Sequence, residues 1–172
     1  MLRDIHKELG IPDDYGTSPA MPVFEEPESL VSAGPNIIGK EQRLTPETAH
    51  AWEKMSQVAA DDGVSLLLVS GFRAITYQAE LFKKKLAAGQ SITEILCVNA
   101  APGFSQHHTG RAIDIATPDS RPLTLEFEST PAFSWLTGNA GRFGFSMPYV
   151  RDNQWGIDYE PWHWLYGKDG QL

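Results

Sequence analysis

The chain has 172 residues, 41% of them hydrophobic, with 14 Lys and Arg against 22 Asp and Glu, a formal charge of −8. That length suits one soluble globular domain with a core of its own, and the single cysteine, Cys97, cannot make an internal disulfide. The acidic balance argues against nucleic acid and anionic membrane as main partners, since basic patches recruit both, but it allows a small anionic substrate held in one positive pocket.

The opening MLRDIHKELGIPDDYG has no apolar stretch of secretory length and carries acidic residues early, which is unlike a signal peptide. No apolar run approaches the roughly 20 residues that span a bilayer. A cytoplasmic location and no membrane partner are the expectation; the oligomeric state is left open. Residues 1–44 are rich in Pro, Gly and acidic side chains, including Pro12, Pro19, Pro22, Pro27 and Pro35. They read as an extended N-terminal arm with little regular structure, either wrapping the domain and capping a cleft or hanging free. Thr45-Pro46 then starts a helix, with Ala49, Trp52, Met55 and Ala59 at helical spacing and Gly63 as the stop. Val64 to Val69 reads as a buried strand, and a second helix runs from about Thr76 to Ala88. In the apolar run Ile95 to Val98, Cys97 reads as a small buried hydrophobe. A loop follows at 101–103, and a strand at Arg111 to Ala116, where Ala112, Asp114 and Ala116 alternate with Ile113 and Ile115. Thr130-Pro131 opens a helix reaching about Asn139, and a last strand covers Trp162 to Tyr166. Scattered strands without a βαβ rhythm predict an α+β fold, a small antiparallel sheet flanked by helices, with the arm at 1–44 and the folded domain at 45–172.

Two segments carry chemistry: the run Pro102 to Ile115, PGFSQHHTGRAIDI, and the run Glu160-Pro161-Trp162-His163-Trp164. Catalytic zinc takes three ligands from His and Asp or Glu and keeps a position for water. His107 lies in a Gly-flanked loop. Asp114, in the middle of an apolar strand, needs a partner, because an unpaired buried charge is costly. A metal is one such partner, and His163 is a third ligand candidate. Glu160, three residues before His163, suits a general base that faces a metal-bound water. On spacing alone, a salt-bridged strand residue at Asp114 and a hydrogen-bonded core histidine at His163 remain open. His108 should point away from its neighbour on an extended chain; His6 and His50 read as incidental.

Several motifs in register resemble the VanY-type zinc D-alanyl-D-alanine carboxypeptidases: Ser105-x-His107-x-x-Gly110-x-Ala112-x-Asp114, the downstream Glu160-Pro-Trp-His163, the upstream Ser70-Gly71-Phe72-Arg73 with Gln78, and Phe133 to Phe145 with Trp135-Leu136, Asn139-Ala140 and Gly144-Phe145. The resemblance covers roughly residues 45 to 167 and implies a zinc peptidase domain. It implies zinc as cofactor, His107, Asp114 and His163 as its ligands, and Glu160 as general base and acid. It implies Arg73 beside the scissile carbonyl oxygen or the substrate carboxylate, and Ser105 and Gln78 as substrate contacts. A guanidinium suits either Arg73 role, as a fixed positive donor for an oxyanion or a fork for a carboxylate. Phe72 and Ala74 stand where the family usually has Tyr and Ser. Residues 148–158, with Tyr149, Arg151 and Trp155, shape either a substrate pocket or an ordinary surface loop, while Trp162 and Trp164 read as core or pocket wall.

The expected function is release of terminal D-Ala from peptidoglycan stem peptides, the expected partner. L,D-cleavage of tetrapeptides in wall recycling and endopeptidase action are the alternatives within this chemistry. A non-catalytic zinc-binding domain is the alternative outside it, disfavoured because a purely structural site needs neither Glu160 nor Arg73.

Overall fold

The computed structural model describes residues 1–18 and 20–167. The two helices opened by a Thr-Pro pair start where the sequence predicts. Helix α2, Pro46–Asp61, begins with the Thr45 side chain accepting from the Thr48 N–H and Pro46 in the first turn. Its buried stripe is Thr48, Ala51, Trp52, Met55 and Ala59, spaced by three and four. Helix α5, Pro131–Asn139, repeats the device with Thr130 as its cap. Helix α3, Ile75–Ala87, follows strand β3, Leu67–Ser70, after a four-residue turn.

A four-stranded sheet has the order β3-β4-β6-β5, antiparallel throughout, with β4 Ala112–Ala116, β5 Phe145–Ser146 and β6 His163–Tyr166. The fold is thus α+β, as expected. Side chains alternate between the faces of a strand. Ile113, Ile115 and Trp164 enter the main core with Leu44, Met55, Phe127 and Leu136. Asp114 and His163 therefore project to the other face, each directly opposite the other across β4 and β6. Fully burying a side chain such as Met55, Phe127 or Leu136 contributes about 1.5–3 kcal/mol each. That strong bias holds the face assignment, and with it the site.

A second core of Leu9, Ile11, Phe82, Ile95, Phe104, Tyr149 and Ile157 lies beyond the site. It is closed in part by two helices that the sequence reading did not foresee, α1 Leu2–Leu9 and α4 Ile92–Val98. Helix α4 is started by a reciprocal capping box between Ser91 and Glu94. Its spacing buries Ile95 and leaves Cys97 exposed, which corrects the expectation of a buried thiol.

The first 44 residues also hold more regular structure than expected. Besides α1, strands β1 Val31–Pro35 and β2 Glu41–Leu44 pair antiparallel. This segment packs behind the loops that carry the site. The Phe24 N–H donates to the Gly103 carbonyl at 2.8 Å, Glu26 accepts from the Ile75 N–H at 2.7 Å, and Gln42 Oε1 accepts from the Gly71 N–H at 3.0 Å. The residues lining the cleft run from Arg73 to His163. The segment braces those loops, and its Lys40, Glu41, Gln42 and Arg43 line a second hollow that shares Arg73, Asp114 and Leu123 with the cleft.

Candidate active site

His107 stands in a 3-10 turn, Gln106–Thr109, that ends at Gly110 with φ 64°. A Cβ at Gly110 would fall 2.8 Å from Leu30 Cδ2 and 3.3 Å from the Thr45 backbone nitrogen, so only glycine fits both the conformation and the space. The Gly110 carbonyl accepts from the Thr45 N–H at 3.0 Å, which ties the turn to the start of α2.

The structure brings together the three side chains that the sequence singled out as metal ligands. His107 Nε2 lies 3.2 Å from Asp114 Oδ2, and His163 Nδ1 lies 3.0 Å from Asp114 Oδ1. One ligand atom from each residue falls within 4.8 Å of the others, and all three residues are buried. The other ring nitrogens decide the protonation. His107 Nδ1 is 2.8 Å from the Gly71 carbonyl oxygen, and His163 Nε2 is 2.9 Å from Gln106 Oε1. Both partners are acceptors, so these nitrogens carry the protons. The bare lone pairs of His107 Nε2 and His163 Nδ1 therefore face an acidic carboxylate. Lone pairs against a carboxylate repel unless a cation lies between them. The separations are of the order of the roughly 3.3 Å edge that zinc bonds of about 2.0–2.1 Å give, with each imidazole next to a different Asp114 oxygen. Carbonyl and amide acceptors behind the imidazoles are the usual support of zinc histidines. The donor set fits zinc.

Titration leans the same way. Burial lowers the His107 pKa, opposed by Asp114 and assisted by Arg73. Burial alone would raise that of Asp114, but protons held by the neighbouring imidazoles outweigh it and keep the carboxyl well below its usual range, so Asp114 is ionised and, without a metal, a proton takes the place of the cation.

Glu160 Oε2 lies 3.9 Å from His163 Nδ1. Its backbone N–H donates to the Tyr149 carbonyl at 3.1 Å, which fixes the approach to β6. Burial pushes its carboxyl pKa up to about 7, with Asp114 and Asp158 adding to the rise and His163 and Arg73 opposing it. Arg73 sits just past β3. Its Nη1 donates to Gln78 Oε1 at 3.0 Å and its Nη2 to Ser70 Oγ at 3.3 Å. Neither partner is a carboxylate, so the guanidinium keeps its charge for the cleft. Gln78 is buried and its Nε2 donates to the Ala100 carbonyl at 2.8 Å. Both ends of its amide hold protein groups, which makes it a support for Arg73 as well as part of the wall. Ser105 is buried at the same cleft, a cavity of about 480 Å³ lined also by Glu160, Trp162 and the three clustered residues. Trp164 is in the core.

Tyr149, read from the sequence as part of either a pocket or a surface loop, lines the cleft; it is buried and stacks on His163 with ring centroids 4.7 Å apart. Two supports were missed. Gln106 and the Gly71 carbonyl complete the histidine support, and no spacing signal marks either one.

A carboxyl with a raised pKa, a guanidinium hydrogen-bonded to neutral side chains and a donor cluster that fits a metal, all around one cleft, make the equipment of a hydrolase. Residues 41–169 match the family model described as VanY, D-alanyl-D-alanine carboxypeptidase. The chain belongs to this carboxypeptidase family. Among curated relatives, YodJ of Bacillus subtilis (strain 168) is 28% identical over 173 residues, covering 96% of this chain and 59% of the relative. The bifunctional D-Ala-D-Ala dipeptidase and D-Ala-D-Ala carboxypeptidase VanXYC of Enterococcus gallinarum is 30% identical over 148 residues, 83% of this chain and 75% of the relative. This chain thus spans under two thirds of the first and three quarters of the second. Among solved structures, the LdcB LD-carboxypeptidase superposes with TM-score 0.73 at 30% identity, covering 82% of this chain and 69% of that one. A VanY D,D-pentapeptidase variant in complex with Zn(II) gives TM-score 0.65 at 26% identity, covering 84% and 82%. No helix among the described residues is long and apolar enough to cross a membrane.

Proposed function

We propose that this chain is a zinc-dependent carboxypeptidase releasing terminal D-alanine from peptidoglycan stem peptides. The observation that carries the reading is the convergence of two imidazole lone pairs on Asp114, with Glu160 3.9 Å from His163. Zinc held by His107, Asp114 and His163 supplies a local positive charge that acidifies water and polarises the scissile carbonyl. Glu160 takes the proton of the attacking water on Oε2 and returns it to the departing amine nitrogen, so water adds across the C–N bond and an acid and an amine leave. A carboxyl pKa pushed up to about 7 suits a group that must both accept and give a proton near neutrality. Arg73, held by Gln78 and Ser70, donates to the carbonyl oxygen as its negative charge grows, or to the substrate carboxylate. Ser105 adds a hydroxyl to the wall.

A second reading is L,D-cleavage of the tetrapeptide, favoured by the higher TM-score and identity to the LdcB LD-carboxypeptidase. Mass spectrometry of products separates the two. Zinc-dependent loss of one D-Ala from a pentapeptide ending in D-Ala-D-Ala, and not from the matching tetrapeptide, establishes D,D-cleavage. Loss from the tetrapeptide establishes L,D-cleavage. No cleavage of either by zinc-loaded protein overturns the reading.

A further inference from the structure

Helix α3 forms one wall of the cleft. Gln78 and Lys85 stand seven residues apart on it, two turns, and so share a face; both line the cleft, with Arg73 just before the helix. Phe82 is fully buried in the second core, which fixes how this helix is rotated. Helix side chains lean toward the N-terminus, so the Lys85 stem is directed back toward Gln78 and Arg73. Lys83, on the same helix, differs. It pairs with Glu8 at 2.9 Å and Glu80 at 3.3 Å, whereas half-buried Lys85 forms no ion pair among the described residues. Burial and the repulsion of Arg73 both lower its pKa, while Glu160 opposes them. Two cations thus share one wall, among the described residues Arg73 hydrogen-bonded to neutral side chains and Lys85 paired with no carboxylate, in a chain of charge −8. Such an arrangement costs free energy through mutual repulsion and desolvation, and an anion seated between the two cations offsets both.

Resting on the peptidase reading above, we propose that Lys85 is a specificity-determining residue that binds a carboxylate of the peptide substrate from the α3 wall. That carboxylate is either the terminal one on the leaving residue or one on a residue upstream of the scissile bond; the chemistry of recognition is the same.

Titration calorimetry on the zinc-loaded Glu160→Gln protein tests this without turnover. The ligands are the stem pentapeptide with all carboxylates free, the same peptide amidated at its C-terminus, and the same peptide amidated at its upstream carboxylates. Adding Lys85→Met is expected to weaken binding of the free peptide about tenfold or more, as loss of a charge-assisted contact does, and Lys85→Arg to restore most of it. For one of the amidated peptides the Met substitution should have no effect, and that peptide identifies the carboxylate. A loss under twofold, an equal loss with both amidated peptides, or no binding of any peptide overturns the assignment. Turnover by the protein with Glu160 intact is read separately, so absence of cleavage counts against the peptidase reading while the titration still decides Lys85.

Discussion

His108 Nδ1 lies 2.6 Å from the Arg73 carbonyl oxygen, while its Nε2 accepts the Gly103 N–H at 3.1 Å. The ring is a neutral strut between the loop that bears Arg73 and the loop that leads into His107. Burial, the first cause, pushes its pKa down to about 4. An unfolded histidine titrates near 6.5, so the unfolded chain takes up the proton first. The stability contributed by this ring is complete above pH 6.5 and is lost as pH falls through about 4. Taken alone, this ring accounts for a loss on the order of 3 kcal/mol across that window, which urea melts of chelated protein read once the opposing titration of Glu160 is removed. His108→Phe should remove this dependence and cost about 1–3 kcal/mol at pH 7 for each backbone group left without its partner.

Glu160 titrates with the opposite sign. Its folded pKa, raised to about 7, exceeds the unfolded value near 4.5, so its contribution is present below pH 4.5 and lost as pH rises through about 7. The two slopes oppose one another in the chelated protein. Glu160→Gln should therefore unmask a steeper loss of stability on acidification than wild type shows. The same variant should lose at least about 10²–10⁴ in turnover, while competition with a chromophoric chelator finds zinc affinity within a few-fold of wild type.

Zinc should raise the thermal midpoint of the wild-type protein in calorimetry. A hundredfold excess over Kd corresponds to about 2.7 kcal/mol. Asp114→Asn and His163→Ala should abolish that rise, because each removes one of three converging donors. A full zinc-induced shift in either variant would place the ion elsewhere.

Gln78→Leu tests the support of Arg73. The substitution keeps the volume but removes the acceptor at 3.0 Å from Arg73 Nη1 and the donor to the Ala100 carbonyl. About 1–3 kcal/mol of stability should be lost from the unpaired carbonyl. Turnover should fall roughly tenfold or more once the guanidinium is loosely held, while zinc binding is unchanged. Unaltered kinetics would mean that Arg73 needs no positioning.

The elements that bear the site were legible in the sequence because strong local rules coincide there. Asp114 amid Ile113 and Ile115 reads as an alternating strand, and Thr130-Pro131 and Thr45-Pro46 are capping signals that few other structures use. The paired strands at 31–44 were not legible, since Gly34 and Pro35 lie inside one of them and a register shift interrupts the ladder; packing, rather than propensity, makes them. Helix α4 is too short for its four-residue apolar run to show a period. The meeting of Asp114 and His163 could be read because both lie on strands in register, and His107 reaches them from a turn. Tyr149 over His163, and the acceptors at Gly71 and Gln106, are meetings of segments far apart in the chain, and no local pattern encodes them.

The pairing of Asp114 with His163 has a consequence for folding. Sliding β6 by one residue along β4 would turn His163 into the main core and bring Trp164 out into the cleft. A molecule so mispaired presents one imidazole to Asp114 instead of two. Given the proposed zinc site, metal uptake during refolding works as a census of correctly paired chains, and its amplitude measures how often the hairpinless β4–β6 contact, 49 residues apart in sequence, finds its mark at the first attempt.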